Sequence, residues 1–205
     1  MGALNLFYSL KLRITVIMLY HVSQKSGLKI LTPHISTHKK AYVYALENMV
    51  TAILFGVKKD DFDFLIYSDE NNTPILYECY PDALKKIYQG EVCSLYEVNG
   101  GSFLRSMTEW SDELVSESEV EVIKETVIED IYKRLLEEEQ SGKLIIHRYE
   151  YNNEYRKTIA NHIVDRIFRF EIDLDKCREQ DERFAVYFND LVEKLLDVMD
   201  GHLLK

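Results

Sequence analysis

Short runs of β-branched and aromatic residues alternate with clusters of turn-forming residues through much of this chain. Such runs are typical of strands, and the clusters between them are typical of turns. Because few helical stretches separate the runs, the order favours an antiparallel or mixed sheet in an α+β fold over a doubly wound parallel sheet. The predicted strands are 14–22, 41–45, 62–67, 75–80, 92–98, 111–116 and 120–128.

Helical spacing of apolar residues appears at a few positions among these strands and predominates after them. Residues 49–54 form one short predicted helix that ends at Gly56, and residues 82–88 form another that ends at Gly90. Further along the chain a predicted strand lies at 143–149. Amphipathic helical stripes lie at 128–136, 155–168 and 184–199.

The change of pattern predicts how the chain is organised. We expect an α+β domain over residues 18–131 and a helical C-terminal region over 132–205 that packs on it. Residues 1–17 are interpreted as an N-terminal extension, because Met18 directly precedes the first clear strand residues and is a candidate start. The C-terminal helices are also a candidate homodimer surface.

Charge is distributed unevenly along the chain. The net charge is -10, yet residues 1–40 contain six Lys or Arg and no Asp or Glu, and the first acidic residue is Glu47. An overall acidic protein lacks the basic face that an extended nucleic-acid surface requires. The cationic N-terminal part instead predicts a site for one nucleotide-sized anion.

Cysteine usage and hydropathy indicate a cytoplasmic protein. The three cysteines show no CxxC spacing, which favours a reducing compartment, and no run reaches the ~20 apolar residues of a membrane-spanning helix. No signal-peptide cleavage site is evident. No metal site is predicted, because the residues nearest to one are better explained as a surface His and a helical i, i+3 pair, namely His147, His162 and Asp165.

Four residues in the predicted α+β domain form a pattern with chemical meaning. His21 ends the first strand, just before a polar turn cluster. Tyr44 lies in the short second strand, Phe55 follows it by eleven residues, and Glu113 opens a late strand.

This layout resembles the ADP-ribosyltransferase fold, in the His-Tyr-Glu branch that includes diphtheria toxin and poly(ADP-ribose) polymerases. In that branch a His ends the first strand in an H-G-[ST] turn, a Tyr lies in a short strand, and a Glu opens a late strand. The matching residues here are His21, Tyr44 and Glu113, over roughly residues 19–131. The sequence departs from the pattern at Val22, where the family has Gly, and at Phe55, where it usually has Tyr.

The resemblance implies a split sheet of the ADP-ribosyltransferase type and NAD as substrate, with no metal. His21 would hold the adenosine-side ribose, and Tyr44 and Phe55 would sandwich the nicotinamide ring. Glu113 would stabilise the cation-like ribose that forms when the nicotinamide bond breaks. Lys25, Lys39 and Lys40 are candidates for the pyrophosphate. The implied catalytic residues are Glu113, His21 and Tyr44, and the implied NAD-binding residues are His21, Ser23, Tyr44, Phe55 and Lys40.

The implied activity is ADP-ribosyl transfer or NAD hydrolysis, and the sequence leaves the acceptor open. The alternative is a non-catalytic protein of the same fold that senses a ligand or contacts another protein. Val22 favours this alternative, because its side chain occupies the position where the family brings backbone close to nicotinamide. Glu78 and Glu97 compete with Glu113 for the role of the carboxylate.

Overall fold

A computed structural model describes residues 17–35, 40–59, 62–108, 110–170, 173, 186–188 and 192–193. These residues form an α+β fold, as predicted. The helices are α1 Met49–Ile53, α2 Ala83–Tyr88, α3 Ile131–Gln140 and α4 Asn153–Phe170. The strands are β1 Met18–Ser23, β2 Ile30–Leu31, β3 His34–Ile35, β4 Ala41–Leu46, β5 Phe64–Ser68, β6 Pro74–Glu78, β7 Cys93–Asn99, β8 Glu113–Ser116, β9 Val120–Ile128 and β10 Ile145–His147.

The strands form two separate sheets. The main sheet has the order β2-β9-β7-β1-β4-β3, with β8 also paired to β4, and all of its pairs are antiparallel. The small sheet has the order β10-β6-β5, in which β5 and β6 are antiparallel and β10 runs parallel to β6. The arrangement is therefore antiparallel and mixed, as the strand-rich sequence predicted.

The two strands that close the predicted α+β domain have different neighbours. The sequence treats β8 and β9 as a consecutive strand pair, but β8 pairs with β4 and β9 pairs with β7 and β2. The three residues between β8 and β9 therefore connect two different parts of the main sheet. Strand β4 therefore has both β1 and β8 as neighbours.

Helix α1 begins at a well-made cap. The Asn48 side chain accepts hydrogen bonds from the amides of Val50, at 2.9 Å, and Thr51, at 3.1 Å. Its amide nitrogen donates to the carbonyl of Asn72, at 2.8 Å, in the turn between β5 and β6. Since such a cap satisfies amides that the first helical turn leaves open, it fixes α1 directly after β4 and against the small sheet's turn.

The two faces of the main sheet contact different hydrophobic cores. Tyr20, Val22 and Leu46 lie on one face, which we call the helix face, because they share the larger core with α1. Leu19 and Ala45 lie on the opposite face, in a smaller core. Alternation of side chains along β1 and β4 explains this division, because neighbouring residues of a strand point to opposite faces.

Residues 24–33 cover the second face, and we call them the strap. The strap leaves β1, pairs with β9 through β2 at the far edge of the sheet, and returns to β4 through β3. Its apolar residues Leu28 and Leu31 pack in the smaller core. The face opposite the helix face is therefore named the strap face.

The described C-terminal residues complete both the small sheet and the larger core. Strand β10 pairs with β6, and α4 contributes the fully buried Ile159 and Ile163 to the core that contains α1. Residues on either side of position 131 thus share one core. Among the residues described, no helix is long and apolar enough to cross a membrane. The predicted extension at 1–17, except residue 17, and most of the predicted helix at 184–199 lie outside the described residues.

Candidate functional site

His21 is held in a defined tautomer at the junction of β1 and β4. Its ring nitrogen Nδ1 lies 2.8 Å from the carbonyl oxygen of Tyr44. Because a carbonyl can only accept a hydrogen bond, Nδ1 carries the proton and donates. Burial lowers the pKa of His21, the Tyr44 carbonyl opposes this shift, and the nearby His34 lowers the pKa further. The ring is therefore neutral near pH 7, and its Nε2 atom is a hydrogen-bond acceptor.

The strands of His21 and Tyr44 meet at a single residue pair. Tyr20 lies opposite Leu46, and beyond that pair the described ladder between β1 and β4 does not continue. The His21 ring, rather than a strand amide, contacts the Tyr44 carbonyl there. The pairing of β1 with β4 therefore ends beside both predicted residues.

The side chains of His21 and Tyr44 leave this junction on opposite faces. Since Tyr20 and Leu46 share the helix face, Tyr44 points to that face and His21 points to the strap face. The rings agree with this assignment. The His21 ring lies 6.2 Å from that of Tyr96 on the adjacent strand β7, and the Tyr44 ring lies 6.4 Å from that of His34. At this junction the two side chains thus lie on opposite faces of the sheet.

Glu113 lies next to Tyr44 on the helix face. It opens β8 as predicted, opposite Leu46, while Tyr44 is opposite Val115. Diagonal neighbours of this kind have Cα atoms roughly 7 to 8 Å apart, within reach of long side chains. The backbone amide of Glu113 donates to the carbonyl of Trp110, at 3.2 Å, which fixes the turn before the strand.

Phe55 packs on an aromatic partner that the sequence did not pair with it. Its ring lies 5.2 Å from that of Trp110, and the ammonium of Lys59 lies 3.5 Å from its centroid. Phe55 keeps 41% of its surface exposed. The Tyr44 ring itself contacts the rings of His34 and Tyr42.

The two predicted polar contacts to NAD have partners within the chain. The Ser23 hydroxyl accepts a hydrogen bond from the amide of Lys25, at 3.1 Å, and so helps to start the strap. Lys40 forms an exposed ion pair with Glu117, which raises the pKa of the lysine. Lys40 lies before β4, about 13 Å along an extended chain from Tyr44. Lys39 lies outside the described residues.

A polar network on the strap face joins the strap to the sheet. The Glu125 carboxylate accepts hydrogen bonds from the amide of Gly27, at 2.8 Å, and from the hydroxyl of Ser94, at 2.7 Å. The Gly27 amide is the main cause that lowers the pKa of Glu125. The Tyr96 hydroxyl donates to the carbonyl of Lys25, at 2.7 Å. The strap is therefore fixed next to His21.

A small polar cleft adjoins Glu113 on the helix face. An ion pair between Arg105 and Glu47 lies at its rim. Its lining includes Leu46, which is opposite Glu113, and Asp112, which precedes it. The cleft therefore places polar and charged groups beside the predicted carboxylate.

The histidines that the sequence separated from the site have structural partners. His147 stacks on Tyr77 with ring centroids 4.3 Å apart, and His162 Nδ1 lies 2.7 Å from the Tyr67 hydroxyl. Within the described part of the chain, no group of three or more His, Cys, Asp or Glu side chains is placed to hold a metal ion. Cys79 and Cys93 are both buried.

The structure thus brings together some predicted residues and adds others. His21, Tyr44 and Glu113 lie on three adjacent strands, whereas Phe55 and Lys40 lie with other partners. Sequence reasoning missed Tyr96 and Glu125, which lie opposite each other on β7 and β9. A polar residue on a face that must be buried is the signal that could have found them.

Comparisons with known proteins return no match: no protein-family model matches the chain, no curated protein matches its sequence, and no solved structure matches its fold.

Proposed function

We propose that this protein binds NAD and transfers its ADP-ribose part, either to water as an NAD glycohydrolase or to an acceptor as an ADP-ribosyltransferase. The observation that carries the proposal is the adjacency of β1, β4 and β8. These strands carry His21, Tyr44 and Glu113, the three residues that resemble the His-Tyr-Glu motif. These three residues are distant from one another in sequence but lie within a few residues of the junction of β1 and β4.

The neutral His21 ring is suited to a ribose. With Nδ1 donating to the Tyr44 carbonyl, Nε2 is free to accept a hydrogen bond from a sugar hydroxyl. Lowering of the His21 pKa by burial keeps this acceptor available at pH 7. In this proposal NAD spans the point where the pairing of β1 with β4 ends, with one ribose at His21 on the strap face and the nicotinamide at Tyr44 on the helix face.

The proposed reaction breaks the bond between ribose C1′ and the nicotinamide nitrogen, and the electron pair of that bond leaves with nicotinamide. A water or acceptor oxygen then forms the new bond to C1′ and loses its proton. Glu113, next to Tyr44, would stabilise the positive charge that develops on the ribose. The aromatic face of Tyr44 would support the nicotinamide ring, and Phe55, held by Trp110, is proposed as its second wall.

We propose the cytoplasm as the site of action, because the cysteine spacing favours a reducing compartment.

Turnover of NAD by Glu113→Gln tests the catalytic part of the proposal. Loss of a preorganised carboxylate should reduce the rate about a hundredfold or more, equivalent to about 2.7 to 4 kcal/mol of barrier. Nicotinamide release by purified protein is the measurement. Glu119→Gln, which changes an exposed glutamate just beyond β8, is the matched control and should keep full turnover. Equal turnover in both variants would remove Glu113 from the role.

A non-catalytic ligand sensor of the same fold is the second candidate, and Val22 is the observation that favours it. The Val22 side chain packs against the larger core, so the position that is Gly in the family carries bulk here. Calorimetric titration with NAD separates the candidates. Binding that Tyr44→Ala abolishes, without nicotinamide release, supports the sensor. Binding with release supports the enzyme.

A further inference from the structure

The strap carries positive charge beside the proposed site. Lys25 and Lys29 are exposed on it, and no acidic residue precedes Glu47 in the sequence. The strap starts one residue after Ser23, on the face to which His21 points. A flexible loop with two lysines would lose much of its freedom when it binds an anion. Its usefulness as a binding site therefore depends on what holds its backbone.

Tyr96 fixes the backbone of the strap. Its hydroxyl donates to the carbonyl of Lys25, at 2.7 Å, and accepts from the amide of Leu28, at 3.3 Å. The residue is fully buried and lies opposite His21 in the pairing of β1 with β7. One rigid side chain thus fixes the strap at two places and also borders the His21 ring.

Glu125 fixes the backbone of the strap at a further point, Gly27, which lies between Lys25 and Leu28. Its carboxylate accepts from the amide of Gly27, at 2.8 Å, and from the hydroxyl of Ser94, at 2.7 Å. Gly27 has a φ angle of 76°, in the left-handed region that favours glycine. The strap can therefore turn there and point its amide at the carboxylate.

A carboxylate in this position weakens an anion site if only its charge is considered. Glu125 lies close enough to Lys29 for that lysine to help lower the glutamate pKa. Its hydrogen bonds, however, go to strap backbone and to a buried hydroxyl. The geometry therefore assigns it to the shape of the strap, at some loss of positive potential.

We propose that Glu125 and Tyr96 are positioning residues that hold the strap so that Lys25 and Lys29 bind the pyrophosphate group of a nucleotide. The inference rests on the proposed function for the identity of that nucleotide as NAD. Two charged lysines on a pre-fixed backbone form charge-assisted hydrogen bonds to phosphate oxygens without first ordering a loop.

Inorganic pyrophosphate is the probe that tests the strap apart from NAD. We expect the full chain to bind it in a calorimetric titration at low ionic strength, more weakly as NaCl is added. Glu125→Ala and Tyr96→Phe should each weaken binding about tenfold, because each removes hydrogen bonds that fix the strap. The double variant Lys25→Gln, Lys29→Gln should abolish binding.

The sign of the Glu125→Ala effect distinguishes positioning from simple charge, because Ala removes both the charge and the acceptor oxygen, whereas Gln would keep an acceptor. Removal of a negative charge near an anion site tightens anion binding if the carboxylate acts through its field alone. A positioning role predicts weaker binding. Glu121→Ala removes an exposed carboxylate from the same strand, β9, and is the matched control. It should leave binding unchanged or slightly tighter.

Two results would overturn the proposal: no pyrophosphate binding by the unaltered chain, or Glu125→Ala binding at least as tightly as the unaltered chain. Titration of the same proteins with NAD tests the proposed function separately. Pyrophosphate binding that depends on Glu125, with no binding of NAD, would keep the strap site and remove the dinucleotide.

Discussion

At the level of single residues, His21 links the chemistry of the site to the stability of the fold. Burial lowers its pKa in the folded protein below the value of about 6.5 that an unfolded chain has. Between the two pKa values the unfolded state binds more protons, so acid favours unfolding. The contribution of His21 is complete above pH 6.5 and is lost as the pH falls below that value.

Urea unfolding at pH 7.5 and pH 5.5 measures this effect. We expect the unaltered protein to lose stability between these two pH values, and His21→Asn to lose less. Asn keeps a donor for the Tyr44 carbonyl but has no proton to gain. His147→Asn, which alters an exposed ring, is the control. An equal loss in His21→Asn and in the unaltered protein would contradict the assignment.

The sequence indicated which residues of the site were unusual, but it could not indicate which faces they occupy. His21, Tyr44 and Glu113 lie in strands where the patterns predicted strands. The face of each side chain depends on the register of β1 on β4, since a shift by one residue exchanges the faces. No local pattern encodes that register. The pairing of Phe55 with Trp110 was equally hidden, because it joins the turn after α1 to a loop distant in sequence.

At the level of secondary structure, Glu78 joins three elements. Only 3% of its surface is exposed. Its two carboxylate oxygens accept from the amide of Leu84 in α2, at 2.8 Å, and from the amide of Tyr149 after β10, at 3.0 Å. Its carbonyl also accepts from the hydroxyl of Tyr155 in α4. The buried glutamate thus connects β6 of the small sheet with α2, with α4 and with the segment after β10. This is a structural role for a residue that the sequence offered as a rival catalytic carboxylate.

Glu78→Ala should lower the free energy of unfolding by about 2 to 4 kcal/mol, because it leaves two amides without their acceptors in the interior. Glu78→Gln keeps an acceptor oxygen and should lose less. Urea denaturation is the measurement, with Glu137→Ala as an exposed control that should change stability by less than about 0.5 kcal/mol. If Glu78→Ala lost as little as Glu137→Ala, this role of Glu78 would be wrong.

Secondary-structure prediction succeeded where a long periodic pattern ended at a clear turn. It failed where pairing with a distant strand decides whether a segment is a strand. The strand predictions at 41–45 and 92–98, and the helix before Gly90, agree closely with β4, β7 and α2. Strands β2 and β3 were not predicted, because two residues contain no period and pair only once their partners are in place. Strand β10 was predicted as a strand, but its parallel pairing with β6 depends on the tertiary fold.

At the level of the whole molecule, residues from both sides of the predicted boundary at 131 build one core. Ile53 of α1 and Ile163 of α4 are both fully buried in it. We therefore expect a chain that ends at Gly142, which lacks β10 and α4, to unfold without a cooperative transition in urea. Far-UV and near-UV circular dichroism would measure this. A cooperative transition at the midpoint of the full chain would show that the chain up to Gly142 folds without β10 and α4.

The position of β1 has a consequence for how the chain reaches its native state. This first strand lies inside the main sheet, where Met18 pairs with Asn99, and β7 in turn pairs with β9, which ends at Ile128. The main sheet cannot close until the chain has been synthesised as far as Ile128. Contacts so distant in sequence make folding slow. During translation the apolar residues of β1 stay exposed, and aggregation competes with folding over that interval.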